Sequence, residues 1–225
     1  MKLIYEGKTK NVFQLEDGNY LLKLKDDATG KDGVFDPGEN SVGLTILGLG
    51  RESLKMSEYY FDKLKKSGVK THFVASDIEN VTMTVKPAKI FGKGIEVVCR
   101  LRATGSFMKR YGDYINEGDE LDYLVEFTLK DEHRADPPLA EDTLIMLNIM
   151  TEEQIAEIKP LVKQAARIIK VDMEEKGLAL YDIKFEFGLI DGKVAMIDEI
   201  SGGNMRVYKG DKWMQPMELK EYFNQ

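Results

Sequence analysis

The sequence has a single cysteine, Cys99, in 225 residues. An intrachain disulfide is therefore excluded, which favours a cytoplasmic protein. The first residues, MKLIYEGKTK, lack the apolar core of a signal peptide, and charged residues interrupt every later apolar run. We therefore expect no targeting segment and no membrane contact.

The net charge of −7 argues against nucleic acid as a partner, because binding to phosphates needs a positive surface.

Histidine is almost as scarce, with His72 and His133 as the only two. Neither belongs to a metal-binding motif, so both are expected to be structural or surface residues. The chain also lacks a Walker lysine loop, internal repeats and low-complexity linkers. These absences exclude a zinc site built on histidines and a P-loop nucleotide site.

Alternating apolar residues predict antiparallel strands in the first part of the chain. Residues 3–25 have the pattern of a hairpin that turns at Asp17-Gly18. The segment 26–43 is rich in Gly, Asp and Asn, and we expect a long functional loop there. With helices and a later hairpin downstream, the order of elements predicts an α+β fold.

Two segments have helical spacing. One spans about 51–68 and ends at Gly68, and the other begins at Thr151 and ends at Gly177. Thr151 and Gln154 have the spacing of a capping box. Pro160 lies inside the second helix, where it would cost about 3 kcal/mol, so we expect a kink or a break.

The hairpin between Leu180 and Ser201 combines charged and aromatic residues. Asp182, Lys184 and Glu186 share one face of its first strand by the period of two. Glu186 and Asp198, with Lys184 between them, would suit Mg²⁺ that is shared with substrate phosphates. A solvated strand face with cross-strand ion pairs would have the same spacing, and spacing alone does not decide between them.

The turn of this hairpin decides which face Asp198 joins. A two-residue turn, Asp191-Gly192, would pair Lys184 with Glu199 and leave Asp198 on the aromatic face. A three-residue turn that begins at Ile190 would pair Lys184 with Asp198. We favour the three-residue turn, because an unpaired carboxylate among phenylalanines is costly.

A basic cluster lies between Cys99 and Gly112, with no acidic residue among its members. Alternation places Arg100 and Arg102 on one face of a strand, and Gly105 and Ser106 can supply backbone N–H groups and a hydroxyl. Arginine forks with such donors suit a phosphate monoester. The alternative is a basic strand edge without a ligand.

Seven segments, in this order, resemble the SAICAR synthetase family: YEGKTK, KLKDDATG, THFV, EVVCRLRATGSFMKRYG, VEFTLKDEHRADP, YDIKFEFG and IDEIS followed by Arg206. The resemblance implies a two-lobed fold with antiparallel sheets and an ATP cleft between the lobes. It places the β-rich ATP lobe at 1–88 and the metal and acceptor lobe at 89–225. It also implies small-molecule substrates, and it allows a homodimer.

The implied reaction is the ATP- and Mg²⁺-dependent joining of a ribotide carboxylate (CAIR) to the amine of L-aspartate. In the family an acyl phosphate forms first, and the amine then displaces phosphate to give SAICAR in purine biosynthesis. A carboxylate needs such activation because its oxygen is a poor leaving group, and the protein contributes positioning and electrostatics.

Roles for individual residues follow from this resemblance. Lys8, Lys10 and Lys130 would bind ATP, and Arg100, Ser106 and Arg206 would bind the ribotide phosphate. Lys184, Glu186 and Asp198 would be catalytic. Glu186 and Asp198 would also hold the metal, with Asp136 as a further candidate ligand.

Three departures from the family pattern lie on the acceptor side. Gly202-Gly203 replaces the usual Pro-Asp after IDEIS, the residues 34–50 replace the family's usual Lys- and Asn-rich stretch, and the C-terminal tail differs. They predict a divergent acceptor site and leave open a paralogue with another carboxylate or amine.

Two other functions remain as alternatives. One is a phosphotransferase, although the sequence has no HRD-like catalytic loop. The other is a non-catalytic nucleotide sensor.

Overall fold

In the computed structural model, the described residues are 1–38 and 41–223, apart from the side chain of Glu132. The helices are α1 (Leu49–Lys66), α2 (Ser106–Tyr111), α3 (Glu141–Met146) and α4 (Glu152–Glu175). The strands are β1 (Lys2–Glu6), β2 (Lys10–Gln14), β3 (Tyr20–Leu24), β4 (Asp27–Lys31), β5 (Val34–Phe35), β6 (Val42–Thr45), β7 (Phe73–Asp77), β8 (Thr82–Val85), β9 (Lys89–Ile90), β10 (Ile95–Arg102), β11 (Glu120–Leu129), β12 (Pro138–Leu139), β13 (Ala179–Ile190), β14 (Lys193–Ile197), β15 (Met205–Lys209) and β16 (Lys212–Trp213). Helices and antiparallel sheets together confirm the predicted α+β class. No helix in the described ranges is long and apolar enough to cross a membrane.

The chain forms two compact units. The first contains the described parts of Met1–Lys89, Gly188–Gly203 and Gln215–Gln225, and the second contains Ile90–Phe187 and Asn204–Met214. The predicted division assigned all of 89–225 to one lobe, whereas segments after Phe187 here group with the N-terminal residues. Main-chain hydrogen bonds explain this, because Met196 pairs with both Lys70 and His72. The separate roles of two lobes stay a prediction.

The first unit contains a five-stranded sheet in the order β1-β2-β3-β8-β7. The predicted hairpin of residues 3–25 is present as β2 and β3, with β1 as an added edge strand. Helix α1 contacts β3 and β7 of this sheet. The fully buried residues of the helix include Leu54, Tyr60, Phe61 and Leu64. Its position agrees with the predicted helix, because the apolar spacing is a local signal.

The prediction of a long loop at 26–43 is wrong. Strands β4, β5 and β6 form a small three-stranded sheet there. A Cβ atom on Gly43 would lie 2.3 Å from the carbonyl carbon of Gly30, and one on Gly30 would lie 2.1 Å from the oxygen of Val34. The glycines therefore allow backbones to pack closely rather than marking a loop. Glu39 and Asn40, within this predicted loop, lie outside the described residues.

The main sheet of the second unit has the strand order β12-β11-β10-β13-β15-β16. Its antiparallel pairing sets Arg100 of β10 opposite Asp182 of β13, and Asp182 opposite Arg206 of β15. Three charged residues therefore lie side by side on three neighbouring strands. This register builds the basic cluster described below.

Helix α4 packs against β10 and β11 and carries the predicted capping box. The Thr151 hydroxyl accepts a hydrogen bond from the Gln154 main chain at 3.2 Å, and the Gln154 side chain accepts one from the Thr151 main chain at 2.9 Å. The helix runs without interruption for 24 residues with Pro160 inside it. The predicted break is therefore absent, because the buried apolar face outweighs one missing hydrogen bond.

The turn between β13 and β14 has two residues, so the favoured three-residue turn is wrong. Asp191 and Gly192 have φ values of 51° and 75°, which is the pattern of a type I′ hairpin turn. Strand β14 ends at Ile197, and Asp198 has a left-handed φ of 70°. The alternation of faces therefore ends before Asp198, so neither register fixes the face of its side chain.

Candidate active site

Two consecutive carboxylates form the polar end of the β14 strand in the first unit. Lys10, at the start of β2, makes salt bridges with both Asp198 and Glu199. The three side chains are largely buried. The structure thus brings Lys10, a predicted ATP-binding residue, to Asp198, a predicted metal ligand.

The raised pKa of Glu199 shows that this arrangement disfavours its ionised form. Burial and the neighbouring charge of Asp198 raise the pKa of Glu199 to about 7, and Lys10 offsets this only in part. Two carboxylates with one ammonium carry a net charge of −1 when both are ionised. A divalent cation there would remove this excess, so the pair fits Mg²⁺ bound by one or two carboxylates and by phosphates. Among the described residues, no group of three or more His, Cys, Asp or Glu could hold a metal ion.

His72 supports the main chain at this carboxylate pair. Its Nε2 atom lies 2.9 Å from the main-chain oxygen of Asp198, and the residue is only 4% exposed. A carbonyl oxygen only accepts, so Nε2 carries the proton and donates it. Burial lowers the pKa of His72 to about 4, which leaves the ring neutral at pH 7.

Lys184 lies in the second unit against an acid that the sequence did not single out. Its Nζ atom lies 2.9 Å from Glu96, whose other carboxylate oxygen lies 3.3 Å from the hydroxyl of Thr128. Burial disfavours the charge, but the carboxylate of Glu96, its hydrogen bond and Glu186 together raise the pKa of Lys184. Lys184 is therefore an ammonium held in place by a buried carboxylate.

Two further predicted residues lie together beside this pair. Lys130 Nζ is 2.7 Å from Glu186 Oε1, which joins a predicted ATP ligand to a predicted metal ligand. Asp136 instead accepts a hydrogen bond from the main chain of Asp131 at 2.7 Å. The carboxylate of Asp136 therefore helps to shape the turn after β11.

Lys8 lies in the tight connection between β1 and β2. Gly7 donates to the main-chain oxygen of Lys10 at 2.9 Å, and Lys25 reaches the oxygen of Gly7 at 2.7 Å. A Cβ atom on Gly7 would lie 2.7 Å from that Lys10 oxygen, so only glycine fits without a shift. Lys8 and Lys10 are thus presented by a closely packed turn.

The basic cluster of the second unit is built around one aspartate. Oδ2 of Asp182 accepts from Arg100 at 3.0 Å and from Arg206 at 2.8 Å. Arg100 also donates to Ser106 at 3.0 Å. The three residues predicted to bind a phosphate are therefore assembled in one place.

A second acid balances part of this charge. Glu126 pairs with both Arg100 and Arg110. Three guanidinium groups thus face two carboxylates, Asp182 and Glu126, which leaves a net charge of +1. Gly105 has a φ of 57°, and a Cβ atom there would lie 2.6 Å from the guanidinium carbon of Arg206. Glycine therefore lets the backbone lie close to the arginine, as an anion-binding turn requires.

Sequence reasoning missed the acids that hold the predicted residues. Glu96, Glu126 and Asp182 bind basic groups of the predicted site, and Asp182 was noticed only as a strand charge. His72 was predicted to be a structural or surface residue, and its buried hydrogen bond to the main chain of Asp198 agrees with a structural role. Its place in the matched segment THFV was the one signal that could have linked it to the site.

The SAICAR synthetase family profile matches residues 3–224. The chain is 54% identical to the phosphoribosylaminoimidazole-succinocarboxamide synthase of Clostridium tetani, over 98% of both chains. This chain belongs to the SAICAR synthetase family. The corresponding synthase of Thermotoga petrophila is 39% identical, over 91% of this chain and 84% of the relative.

Solved structures of SAICAR synthetases have the same fold. The synthase of Ehrlichia chaffeensis matches with a TM-score of 0.84 and 26% identity, over 98% of this chain and 90% of that chain. A type-2 SAICAR synthetase in complex with ADP matches with a TM-score of 0.82 and 27% identity, over 98% and 91%. The predicted SAICAR synthetase-like fold is confirmed.

The predicted divergence of the acceptor side has no support in these comparisons. The Clostridium tetani synthase is matched over almost its full length, including the region of Gly202-Gly203. A paralogue that uses another acceptor is therefore not favoured by the sequence departures.

Proposed function

We propose that this chain joins CAIR to L-aspartate with ATP through the residues assigned below. SAICAR synthesis in purine biosynthesis is the activity of the family and of the relative that is 54% identical, and ATP is its energy source. The observation that best supports the residue assignment is the convergence of Arg100, Ser106 and Arg206 around Asp182. A phosphate dianion suits this net positive cluster of arginine and hydroxyl donors.

The Asp198–Glu199 pair and Lys10 form the proposed metal and nucleotide end in the first unit. Asp198 and Glu199 would hold Mg²⁺, which would neutralise charge on the ATP phosphates. Lys10 would then release part of its contact with the carboxylates and turn to a phosphate, with Lys8 beside it in the same turn. The excess negative charge of the pair supports this assignment.

Lys184 is proposed to stabilise the negative charge that develops on the reacting carboxylate. Its raised pKa keeps it charged, and the fixed contact with Glu96 preorganises it. Glu186, Lys130 and Asp136, in the second unit, keep the metal-binding and ATP-binding roles that the family resemblance implies for them. Lys130 and Glu186 form a salt bridge, with Nζ and Oε1 2.7 Å apart.

The proposed chemistry has two steps. A carboxylate oxygen of CAIR attacks the γ-phosphorus of ATP, the bond to the bridging oxygen breaks, and ADP leaves. The amine of aspartate then attacks the acyl carbon and loses a proton, while phosphate leaves with that oxygen. The protein contributes alignment and fixed charges in both steps.

ADP release separates this function from its alternatives. We expect ADP only when CAIR, L-aspartate and ATP are all present, with one SAICAR formed per ADP. ADP release without aspartate would favour a phosphotransferase, and nucleotide binding without turnover would favour a sensor. Turnover of another carboxylate or amine, with none of CAIR and aspartate, would favour a paralogue.

A further inference from the structure

The carboxylates of Asp198 and Glu199 both contact Lys10, although the residues are consecutive. In an extended strand, consecutive side chains point to opposite faces. Here the strand ends at Ile197, and Asp198 has a left-handed φ of 70°. This left-handed break in the backbone turns both carboxylates towards one ammonium group.

A left-handed non-glycine residue is strained and persists only when its surroundings hold it. His72 does so from one side by donating to the Asp198 carbonyl at 2.9 Å. Its own backbone is fixed, because its N–H donates to Met196 at 2.9 Å and its oxygen accepts from Lys86 at 2.8 Å. The imidazole is therefore a rigid support for the left-handed backbone conformation of Asp198.

Ser57 holds the other side of the same short segment. Its hydroxyl, fully buried in helix α1, accepts from the N–H of Ile200 at 3.2 Å. The same oxygen lies 3.1 Å from the Ile200 carbonyl and 2.7 Å from that of Ser53, and both compete for its one proton. Ile200 is thus bound through its main chain, so any apolar side chain there would be held in the same way.

Helix α1 supports both contacts from one face. Ser57 and Phe61 are four residues apart and therefore lie one above the other. The Phe61 ring packs edge-on against the His72 ring, with centroids 5.7 Å apart. Both rings are buried. The helix therefore holds Ile200 directly and Asp198 through His72.

We propose that His72 and Ser57 are positioning residues, which hold residues 198–200 so that both carboxylates face one cation. Neither side chain touches a reacting group. The proposal rests on the proposed role of Asp198 and Glu199 at the metal. His72 and Ser57 would act indirectly. Each forms a hydrogen bond to the main chain of residues 198–200, and neither binds the ligand.

The test measures Mn²⁺ binding by titration calorimetry in the presence of ADP, alongside SAICAR synthesis. His72→Leu removes the donor, His72→Gln keeps an N–H at similar reach, and Ser57→Ala removes the hydroxyl. Leu64→Val is the control, because Leu64 is buried in the same helix and makes no hydrogen bond to residues 198–200 through its side chain.

We expect His72→Leu and Ser57→Ala to weaken Mn²⁺ binding by about 10-fold or more, as losses of such supporting contacts do. His72→Gln should recover most of the affinity, and Leu64→Val should bind like the unaltered protein. The Mg²⁺ concentration for half-maximal activity should rise with the Mn²⁺ dissociation constant, while the KM for CAIR stays unchanged.

Unchanged Mn²⁺ affinity in folded His72→Leu or in Ser57→Ala would overturn the proposal. Equal losses in His72→Gln and His72→Leu would also overturn the role of the hydrogen bond. If His72→Leu does not fold, Ser57→Ala decides. If the unaltered protein binds Mn²⁺ with ADP but makes no SAICAR, the proposed function fails, and the binding data still test the positioning role.

Discussion

The Nη1 atom of Arg206 lies 2.8 Å from Oδ2 of Asp182, and both residues are buried. The same oxygen accepts from Arg100 at 3.0 Å. One carboxylate thereby fixes the spacing of two guanidinium groups from different strands. Neighbouring donors at a fixed spacing are what a phosphate monoester requires.

Arg100→Ala and Arg206→Ala should each raise the KM for CAIR by about 10- to 100-fold, since a hydrogen bond to a charged group contributes about 1.5–3 kcal/mol. The KM for ATP should change little. Arg102→Ala is the matched control, because Arg102 lies on the same strand and pairs with the exposed Glu120. Steady-state kinetics with each substrate varied would check this, and weaker ATP use with an unchanged KM for CAIR would show that the subsites are exchanged.

Asp198→Asn and Glu186→Gln should each lower Mg²⁺-dependent kcat by about 100-fold or more, as the loss of a preorganised charge does. Neither change removes packing, so the thermal unfolding midpoint should stay close to that of the unaltered protein. Glu16→Gln, at an exposed position, serves as the control. Near-normal kcat in both variants would rule out the metal assignment.

His72 should make the protein less stable as the pH falls. Its pKa is about 4 in the folded chain and 6.5 without burial, so the unfolded chain binds the proton first. Stability is then lost between pH 6.5 and pH 4, by up to about 3 kcal/mol at 1.36 kcal/mol per pKa unit. Glu199 acts in the opposite direction, because its pKa is raised to about 7.

Urea unfolding of the protein and of His72→Gln at pH 7.5, 6 and 5 would measure this loss. The contribution of Glu199 is common to both proteins and cancels to first order in the difference. As the pH is lowered, the free energy of unfolding of the unaltered protein should decrease relative to that of His72→Gln. Parallel curves for the two proteins would contradict the burial of a neutral imidazole.

The two glycines after IDEIS should differ in their tolerance of a side chain. A Cβ atom on Gly202 would lie 3.0 Å from the Cα atom of Pro216, whereas one on Gly203 would meet only the Ser201 hydroxyl at 3.3 Å. Gly202→Ala should therefore destabilise the protein by about 1–3 kcal/mol, as overpacking does. Gly203→Ala should be nearly neutral. Equal midpoints of urea unfolding would contradict this packing.

Local signals in the sequence predicted the two long helices, α1 and α4, well. The capping box at Thr151 and the apolar spacing of α1 depend only on near neighbours, and both are present. The segment 26–43 was misread because glycine also allows close contact between backbones, as between Gly30 and Gly43. Pro160 does not break α4, because the effect of one proline depends on how the whole helix packs.

The grouping of the predicted residues could be anticipated where a matched segment carried them, and less so where tertiary contacts set their partners. Arg100, Ser106 and Arg206 were expected together and lie together. The partners Glu96 and Glu126 were missed, because the pairing of distant strands decides which basic group each acid meets. Asp198 was misplaced because one left-handed residue ends the strand alternation.

Transfer of ¹⁸O from the CAIR carboxylate to phosphate tests the central claim most directly. With both carboxylate oxygens labelled, mass spectrometry after a single turnover should show one ¹⁸O in the released phosphate and one in the amide carbonyl of SAICAR. This result follows if the carboxylate attacks ATP before the bound amine attacks the acyl carbon. SAICAR with both labelled oxygens lost, or phosphate without label, would contradict an acyl phosphate route.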